Sequence, residues 1–355
     1  MRTSPPALRA ALPGASRARA AGWAVPLAAA CALAAPPLLL PSYFQDLALQ
    51  IIIYAVFALS LELLVGMSGL VSFGHAAFFG VAAYVTGLAS PETAPGSLLL
   101  LVPLAMLAAG ACALLVGALS LRTRGVYFIM VTLAFAQMAY HVFHDTAIGG
   151  GSDGMYLTLR PALSMGEATL IDLDNGTHMY FFALGALAFT YCLLALVRRS
   201  RFGHALAGIR LNEQRMRAAG YPTYWYKLAA FVTAGMLAGL AGFLMAARNG
   251  VVNPEMLSWH ESGTVLLMII LGGLGSLRGA VIGAAAFILL KEFASSEALL
   301  GDFASRWQLS VGLVMIFFVA LLPDGLIGLG RMKRSIRRPP FAKPAAADIP
   351  TGAGK

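Results

Sequence analysis

The chain has 355 residues, of which 59% are hydrophobic and 12% charged, and its 25 Lys and Arg against 16 Asp and Glu give a formal net charge of +9. An ordinary soluble domain is about 25% charged and about 45–50% apolar. Such an apolar excess cannot be buried in one soluble core, which excludes most soluble enzymes, and it also excludes a disordered chain. The positive charge leaves two partners open, a nucleic acid or the cytoplasmic side of a membrane.

Apolar stretches long enough to cross a bilayer follow one another along the chain. A hydrocarbon core about 30 Å thick needs roughly 20 apolar residues in a helix. The stretches that meet this requirement are residues 23–40, 47–65, 70–89, 98–120, 126–143, 179–197, 228–246 and 309–329. Residues 262–290 form a longer stretch with several glycines, which predicts two short helices that meet at a glycine-rich turn. The sequence therefore predicts an all-α, polytopic transmembrane bundle with about ten spans, or eight if residues 262–290 form a re-entrant hairpin.

The distribution of charge predicts which loops lie on each side of the membrane. The N-terminal arm (1–22), the loop 198–227 and the tail 331–355 are strongly basic, whereas the loop 144–178 is acidic. Positively charged loops stay cytoplasmic, so we expect both termini and the loop 198–227 inside and the loop 144–178 in the periplasm. The transmembrane domain then covers residues 23–330, and the proline-containing tail is predicted to be disordered. Residues 23–40 also resemble a signal peptide, but this topology requires an uncleaved first span.

Sequence signatures of enzymes and metal sites are missing. No phosphate-binding G-x-x-x-x-G-K-[ST] segment is present, and His260-Glu261 lacks the second histidine of a zinc protease. Cys31, Cys112 and Cys192 lie in apolar runs without metal-ligand spacing. We therefore expect no enzyme, no catalytic residue, no metal site and no cofactor of its own. The separation of charge by the membrane also argues against a nucleic acid partner.

The loop 198–227 contains the signals of a short, well-capped helix. Asn212 can cap the free N–H groups of a helix start, and Glu213 favours the positive end of the helix dipole. Gly220 suits the left-handed position after the last turn, and Pro222 prevents continuation. The sequence predicts a helix of about two turns at 213–219. It is either part of a solvated loop that only orients the protein or a docking element, and the caps favour docking.

A few polar side chains lie within the apolar stretches. Glu62 is ionisable at membrane depth, which is costly and marks a functional candidate; the alternative is a carboxylate bonded to a neighbouring helix end. His75 lies in a segment crowded with small residues, where a packing role is the stronger alternative. Gln137 is interpreted as a hydrogen-bonding contact between helices. The glycine-rich turn at 149–154 is either flexible or faces a substrate or partner.

Four segments together resemble the membrane permeases of branched-chain amino acid ABC importers, of the M type. They are GLVSFGHAAFFGVAAYVTG at 69–87, TRGVYFIMVTLAFAQM at 123–138, FGHALAGIRLNEQRMRAAGYPTYWYKLAAFVTAGMLAGLAGFL at 202–244 and GGLGSLRGAVIGAA at 272–285. The resemblance covers about residues 46–330. It implies a permease fold of the vitamin B12/ribose importer-like type in the bacterial inner membrane.

The resemblance also implies partners and roles. Two cytoplasmic ATPases would bind the ATP, a second permease subunit would pair with this one as a hetero- or homodimer, and a periplasmic binding protein would deliver the amino acid. The helix at 213–219 would correspond to the coupling loop that contacts the ATPase. The coupling candidates are Arg210, Asn212, Glu213, Arg215, Arg217 and Gly220. The translocation path would lie at the subunit interface and would be lined from 47–89 and 126–143. The path candidates are Glu62, Ser72, His75 and Gln137.

Two other functions remain open at this stage. Permeases for urea or short amides share these motifs. The permease sequence discriminates poorly between these substrates, because specificity in such systems lies largely in the binding protein. A stand-alone secondary transporter would require two matching inverted halves with paired broken helices. Only one glycine-broken region, near 272–279, is clear in this sequence.

Overall fold

The computed structural model of the chain describes residues 41–91, 95–165, 168–296, 306–322 and 325–328. The predicted first span at 23–40, the arm 1–22 and the tail 331–355 lie outside these residues. The helices within them are α1 (Ser42–Glu62), α2 (His75–Ala89), α3 (Leu98–Ser120), α4 (Val126–Asp145), α5 (Gly176–Arg199), α6 (Arg201–Leu211), α7 (Glu213–Ala218), α8 (Thr223–Asn249), α9 (Trp259–Gly272), α10 (Leu277–Ser295) and α11 (Trp307–Leu321).

Five helices in the described residues are long and apolar enough to cross a membrane: α1 with the π-helical turn Leu63–Ser68 that continues it, α3, α4, α5 and α8. The pair α9 and α10 is bent by 114° and adds a sixth crossing if it is counted as one span. The two short helices predicted at 262–290 are therefore present. A helical membrane bundle is confirmed, whereas the predicted count of ten spans is not reached within the described residues.

The predicted span at 70–89 is shorter than expected. Its helix, α2, begins only at His75 and has 15 residues, or about 22 Å, which is less than a bilayer core. The preceding π-helical turn ends at Ser68 and is followed by Gly69, whose φ of 73° is left-handed. The Ser72 hydroxyl then accepts a hydrogen bond from the N–H of Gly74, a local turn that competes with helix formation.

Helices α1 and α8 form the centre of the bundle. In each of them 78% of the residues of an 18-residue apolar stretch are buried, against 33% in α3 and α5 and 17% in α4. Outer helices expose large apolar side chains such as Leu115, Tyr127 and Phe189. The core of the bundle is therefore built on α1 and α8, and its rim is an apolar surface of the kind that faces lipid or another protein.

Glycines in α8 allow it to approach its neighbours closely. A Cβ atom on Gly242 would lie 2.0 Å from the carbonyl oxygen of Phe79 in α2, and one on Gly235 would lie 2.4 Å from the Cβ atom of Ala113 in α3. Small residues at helix contacts are typical of membrane bundles, where close packing rather than water drives association.

The loop predicted to be periplasmic contains short strands. β1 (Met155–Tyr156) pairs with β4 (Val251–Val252), and β2 (Ala162–Met165) pairs with β3 (Ala168–Asp172), both antiparallel. A Cβ atom on Gly154 would lie 2.2 Å from the carbonyl oxygen of Val252, so the glycine-rich turn packs tightly against the chain after α8.

Ion pairs connect elements at this same end of the bundle. The Arg248 guanidinium lies 2.6 Å from the Asp46 carboxylate, and that of Arg160 lies 3.1 Å from Asp174. Arg160 also donates to the backbone carbonyl of Arg248. Segments that loop charge assigns to one side of the membrane are thus joined at one end of the structure.

Candidate functional site

The short helix predicted in the loop 198–227 is α7, with defined caps at both ends. The Asn212 side chain accepts a hydrogen bond from the N–H of Arg215 at 2.9 Å. Gly220 has a φ of 86°, and its N–H donates to the carbonyl of Arg217. The N–H of Tyr221 donates to the carbonyl of Met216, which completes a Schellman motif. Helix α7 ends at Ala218, one residue before the predicted end.

Glu213 fastens α7 to the start of α8. Its carboxylate lies 2.6 Å from the Lys227 ammonium group and 2.5 Å from the Arg217 guanidinium, and it accepts a hydrogen bond from the Thr223 hydroxyl. Burial raises the pKa of Glu213, but the hydrogen bonds and charges of Lys227 and Arg217 outweigh it, so that the pKa lies below its ordinary value. The two helices therefore form one electrostatically joined unit.

Helix α6, which precedes α7, was not predicted. The Ser200 hydroxyl caps it by accepting a hydrogen bond from the N–H of Gly203, and Leu206 and Ile209 are buried. A serine followed by apolar residues at helical spacing is a signal for the start of a helix. Here the many basic residues of the loop make that signal weak, because they favour a solvated loop.

Arg210, at the end of α6, points towards the membrane helices. Its guanidinium donates a hydrogen bond to the carbonyl of Gly66 in the π-helical turn, and its side chain passes close to Gly69 and Gly275. Arg210 lies four residues after the buried Leu206 and hence on the same helix face. The side chain of Arg210 thus joins the loop to two membrane segments, and its predicted contact with the ATPase stays a prediction.

The three basic coupling candidates therefore differ in environment. Arg217 binds Glu213 and the Thr223 hydroxyl. Arg215 is exposed, and its side chain has no hydrogen-bonding partner within the part of the chain that the structure describes. Arg210 and Arg217 are also exposed, so their bonds within the chain do not withdraw them from the surface.

Glu62 lies in the interior, where α1 passes into the π-helical turn, and is 1% exposed. Its carboxylate lies near the backbone of Gly275 and Ser276, just before α10, and within electrostatic reach of Arg210, while its Oε2 atom has no hydrogen-bonding partner in the described part of the chain. A Cβ atom on Gly66 would lie 1.9 Å from Oε1 of Glu62, so the missing side chain at Gly66 makes room for the carboxylate. We call Glu62, Gly66, Arg210 and the turn at 273–276 the Glu62–Arg210 cluster.

The other path candidates lie apart from this cluster. His75 is fully buried, with its Nε2 atom 2.8 Å from the Ser60 hydroxyl and its ring packed between Phe57 and Phe78. Ser72 is buried in the turn before α2, and Gln137 is partly exposed on α4. The structure thus brings Glu62 near Arg210, and the roles of Glu62, His75, Ser72 and Gln137 in a path stay predictions.

Comparisons with known proteins identify the family. Residues 43–320 match the family described as branched-chain amino acid transport system / permease component. The chain is 31% identical over 311 residues to the high-affinity branched-chain amino acid transport system permease protein LivM of Escherichia coli, covering 82% of this chain and 72% of that protein. It is 29% identical to LivM of Salmonella typhimurium over the same shares.

A more distant relative is the high-affinity branched-chain amino acid transport system permease protein BraD of Pseudomonas aeruginosa. It is 22% identical over 302 residues, covering 78% of this chain and 91% of BraD. No solved structure matches this chain. The family is one of transporter permeases and not of enzymes. The chain belongs to the family of permease components of branched-chain amino acid transport systems.

Proposed function

We propose that this chain is the membrane-spanning subunit of an ABC importer that carries branched-chain or other hydrophobic amino acids across the bacterial inner membrane. The likeness to the two LivM proteins supports the substrate class. The observation that carries the proposal is the arrangement of α7. A capped, exposed helix is joined by Glu213 to α8, while Arg210 just before it is joined to α1.

The proposed assembly contains two ATPase subunits, a second permease subunit and a periplasmic binding protein. The basic loop 198–227 and both termini face the cytoplasm, where the ATPases lie, and the acidic loop 144–178 faces the binding protein. ATP is bound by the partner ATPases, and this subunit supplies the membrane path. The bundle is of the vitamin B12/ribose importer-like type.

The mechanism that fits this arrangement is alternating access. The transporter has two conformations, and the ATPases bind nucleotide with a different affinity in each. Nucleotide binding therefore changes the relative free energies of the two conformations. Displacement of α7 would be transmitted to α8 through the bonds of Glu213 with Lys227 and Thr223. Arg210 would pass the same motion to the π-helical turn and to the turn at 273–276. π-Helical turns often occur at functional sites because their backbone is less regular.

The translocation path is proposed at the interface with the second permease subunit. Helix α4 is the least buried of the apolar spans and carries Gln137, so it suits a position beside that interface. Glu62 lies inside the subunit, where it would act on the path through the turn before α10.

Co-purification with the ATPase subunits tests this function. In the assembled transporter, Arg215→Glu should reduce ATPase association and leucine uptake together, because it reverses the free cationic group on α7. Arg201→Glu, an exposed arginine at the start of the neighbouring helix α6, is the matched control. Unchanged association and uptake in Arg215→Glu would show that α7 is not the coupling element.

A further inference from the structure

A cavity of about 530 Å³ lies beside the middle of α1, at Gln50 and Tyr54. It is enclosed by α1, α9, α10 and α11, and its polar lining includes Gln50, Tyr54, Glu261, Thr264 and Lys291. Its volume is in the range of small-molecule sites, which combine apolar walls with a few oriented polar groups. We call it the Glu261 cleft.

The position of the Glu261 cleft matches the predicted periplasmic side. Tyr54 is midway between Glu62 and Asp46, which pairs with Arg248 at the outer end of the bundle, so the other lining residues decide the side. Glu261 is in the first turn of α9, directly after the segment that contains β4, and Lys291 is in the last turns of α10. The cleft is therefore on the side from which a delivered substrate would arrive.

An acidic and a basic side chain, Glu261 and Lys291, line this cleft. The Tyr54 hydroxyl donates a hydrogen bond of 3.1 Å to Oε2 of Glu261, which holds the carboxylate in place. The Lys291 ammonium group lies 5.0 Å from the centre of the Trp307 ring, a cation–π distance. Within the described residues no ion pair joins Glu261 to Lys291, although the charge of Lys291 acts on the Glu261 carboxylate.

Ionisable side chains at membrane depth are costly and therefore mark candidate functional sites. A carboxylate and an ammonium group that line one cavity, with no ion pair between them in the described residues, complement a molecule that carries both opposite charges. The walls between them are aliphatic and aromatic, with Met268, Phe287, Ile288, Val311 and Met315 among the lining residues.

We propose that the Glu261 cleft binds a zwitterionic amino acid with an aliphatic side chain. Glu261 accepts hydrogen bonds from its ammonium group, Lys291 donates to its carboxylate, and the apolar wall takes up the side chain. Tyr54 is a positioning residue that orients Glu261. This site deepens the proposed function, on which it rests, because it places a substrate contact within the permease itself.

Leucine binding to the assembled transporter in lipid nanodiscs, without the binding protein, tests the site. The probes are L-leucine and leucinol, the amino alcohol that lacks the carboxylate. Glu261→Gln should weaken binding of both probes about tenfold or more, because a charge-assisted contact is lost. Lys291→Gln should weaken leucine binding to a similar extent but leave leucinol binding unchanged. Tyr54→Phe should weaken leucine binding by a smaller factor.

Matched controls come from the same end of the bundle. Glu292→Gln removes the carboxylate next to Lys291, which binds the Tyr43 hydroxyl and does not line the cleft. Arg306→Gln removes an exposed cation beside Trp307 that is also outside the lining. Both should bind leucine as the unmodified transporter does. ATP hydrolysis stimulated by the binding protein shows that each variant is assembled.

Uptake of leucine into proteoliposomes distinguishes a failure of the Glu261 cleft as a binding site from a failure of the proposed transport function. Transport of leucine by the unmodified protein, together with unchanged leucine binding in Glu261→Gln and Lys291→Gln, would overturn the site and leave the proposed function intact. Failure of the unmodified transporter to carry any branched-chain amino acid, while ATP hydrolysis is normal, would overturn both. Slower leucine uptake in both variants, with the controls unchanged, is the expected result.

Discussion

Arg210 donates a hydrogen bond to the backbone carbonyl of Gly66, which lies 144 residues earlier in the chain. The bond joins the loop that carries α7 to the π-helical turn at the end of α1. Since Glu62 and the turn at 273–276 lie beside the same guanidinium, one side chain connects three segments of the membrane domain. Motion of the loop therefore has a direct physical route into the bundle.

Arg210→Gln should uncouple ATP hydrolysis from transport. Glutamine is too short to reach the Gly66 carbonyl, so the loop would move without displacing α1. We expect uptake to fall about tenfold, which corresponds to the loss of about 1.4 kcal/mol of interaction, while the ATPases remain bound. The measurement is the ratio of leucine transported to ATP hydrolysed in proteoliposomes. Arg201→Gln on the same helix should keep the normal ratio, and a normal ratio in Arg210→Gln would contradict the assignment.

Asn212→Ala should loosen α7 by removing its N-terminal cap. Loss of such a cap costs about 1 kcal/mol, because one N–H group at the helix start loses its acceptor. We expect faster hydrogen exchange at the amides of 215–219 and weaker ATPase binding. Asn212→Ser, which retains a capping oxygen, is the control and should behave nearly as the unmodified protein. Equal exchange in the alanine and serine variants would show that the cap contributes little.

Glu213 should make the stability of α7 depend on pH. Its pKa is below the ordinary value, so its bonds to Lys227 and Arg217 stabilise the loop above the unfolded pKa and are lost as the pH falls through the lower, folded value. We expect amide exchange in α7, corrected for the intrinsic rate, to increase below about pH 4.

Glu213→Gln should abolish this pH step, because no proton is taken up at that position. The loop of that variant should already be looser at neutral pH. Asp153→Asn, which removes an exposed acid in the distant glycine-rich turn, should retain the step. A step that persists in Glu213→Gln would assign it to another group.

Glu62→Leu should impair uptake while preserving the size of the buried side chain. The buried carboxylate would be removed from its place beside Arg210 and the turn at 273–276, so the guanidinium would lose a neighbouring acidic group. We expect leucine uptake to fall about tenfold or more at an unchanged amount of protein in the membrane. Glu255→Leu, an exposed glutamate, is the control. Normal uptake with normal expression in Glu62→Leu would rule out a role for Glu62.

Gly242→Ala should destabilise the centre of the bundle. The added methyl group would lie 2.0 Å from the carbonyl oxygen of Phe79, so α8 and α2 must separate. Overpacking of this kind costs about 1–3 kcal/mol, and we expect a lower thermal unfolding temperature in detergent. Gly185→Ala in α5 is the matched control, because nothing lies within 4 Å of the added atom. Equal unfolding temperatures would show that α8 and α2 tolerate the separation.

Local features of the site could be predicted because they depend on neighbouring residues. Asn212 and Gly220 stop the same short helix wherever the loop lies, since capping uses backbone groups within a few residues. The glycines at 272–279 likewise predict a broken helix pair without knowledge of its partners. The apolar stretches and the family motifs were visible for the same reason.

Long-range contacts could not be predicted. The contact of Arg210 with Gly66 depends on where α6 meets the π-helical turn. From the sequence, the many basic residues around Arg210 favour a contact with a partner protein. The late start of α2 and the separation of Glu62 from His75 also follow from packing. The Glu261 cleft joins residues more than 200 positions apart, such as Tyr54 and Glu261.

Composition, periodicity and capping act within a few turns of chain, so the amino-acid sequence alone was sufficient to predict a helical membrane permease with a short capped helix between two spans. The contacts proposed for coupling and for substrate binding are long-range, unlike these local features. They join a carboxylate, a guanidinium or an ammonium group to atoms that only the packing of α1 against α6, α9 and α10 brings near. Electrostatic and hydrogen-bond energies fall steeply with distance, so these contacts exist only once the bundle has formed.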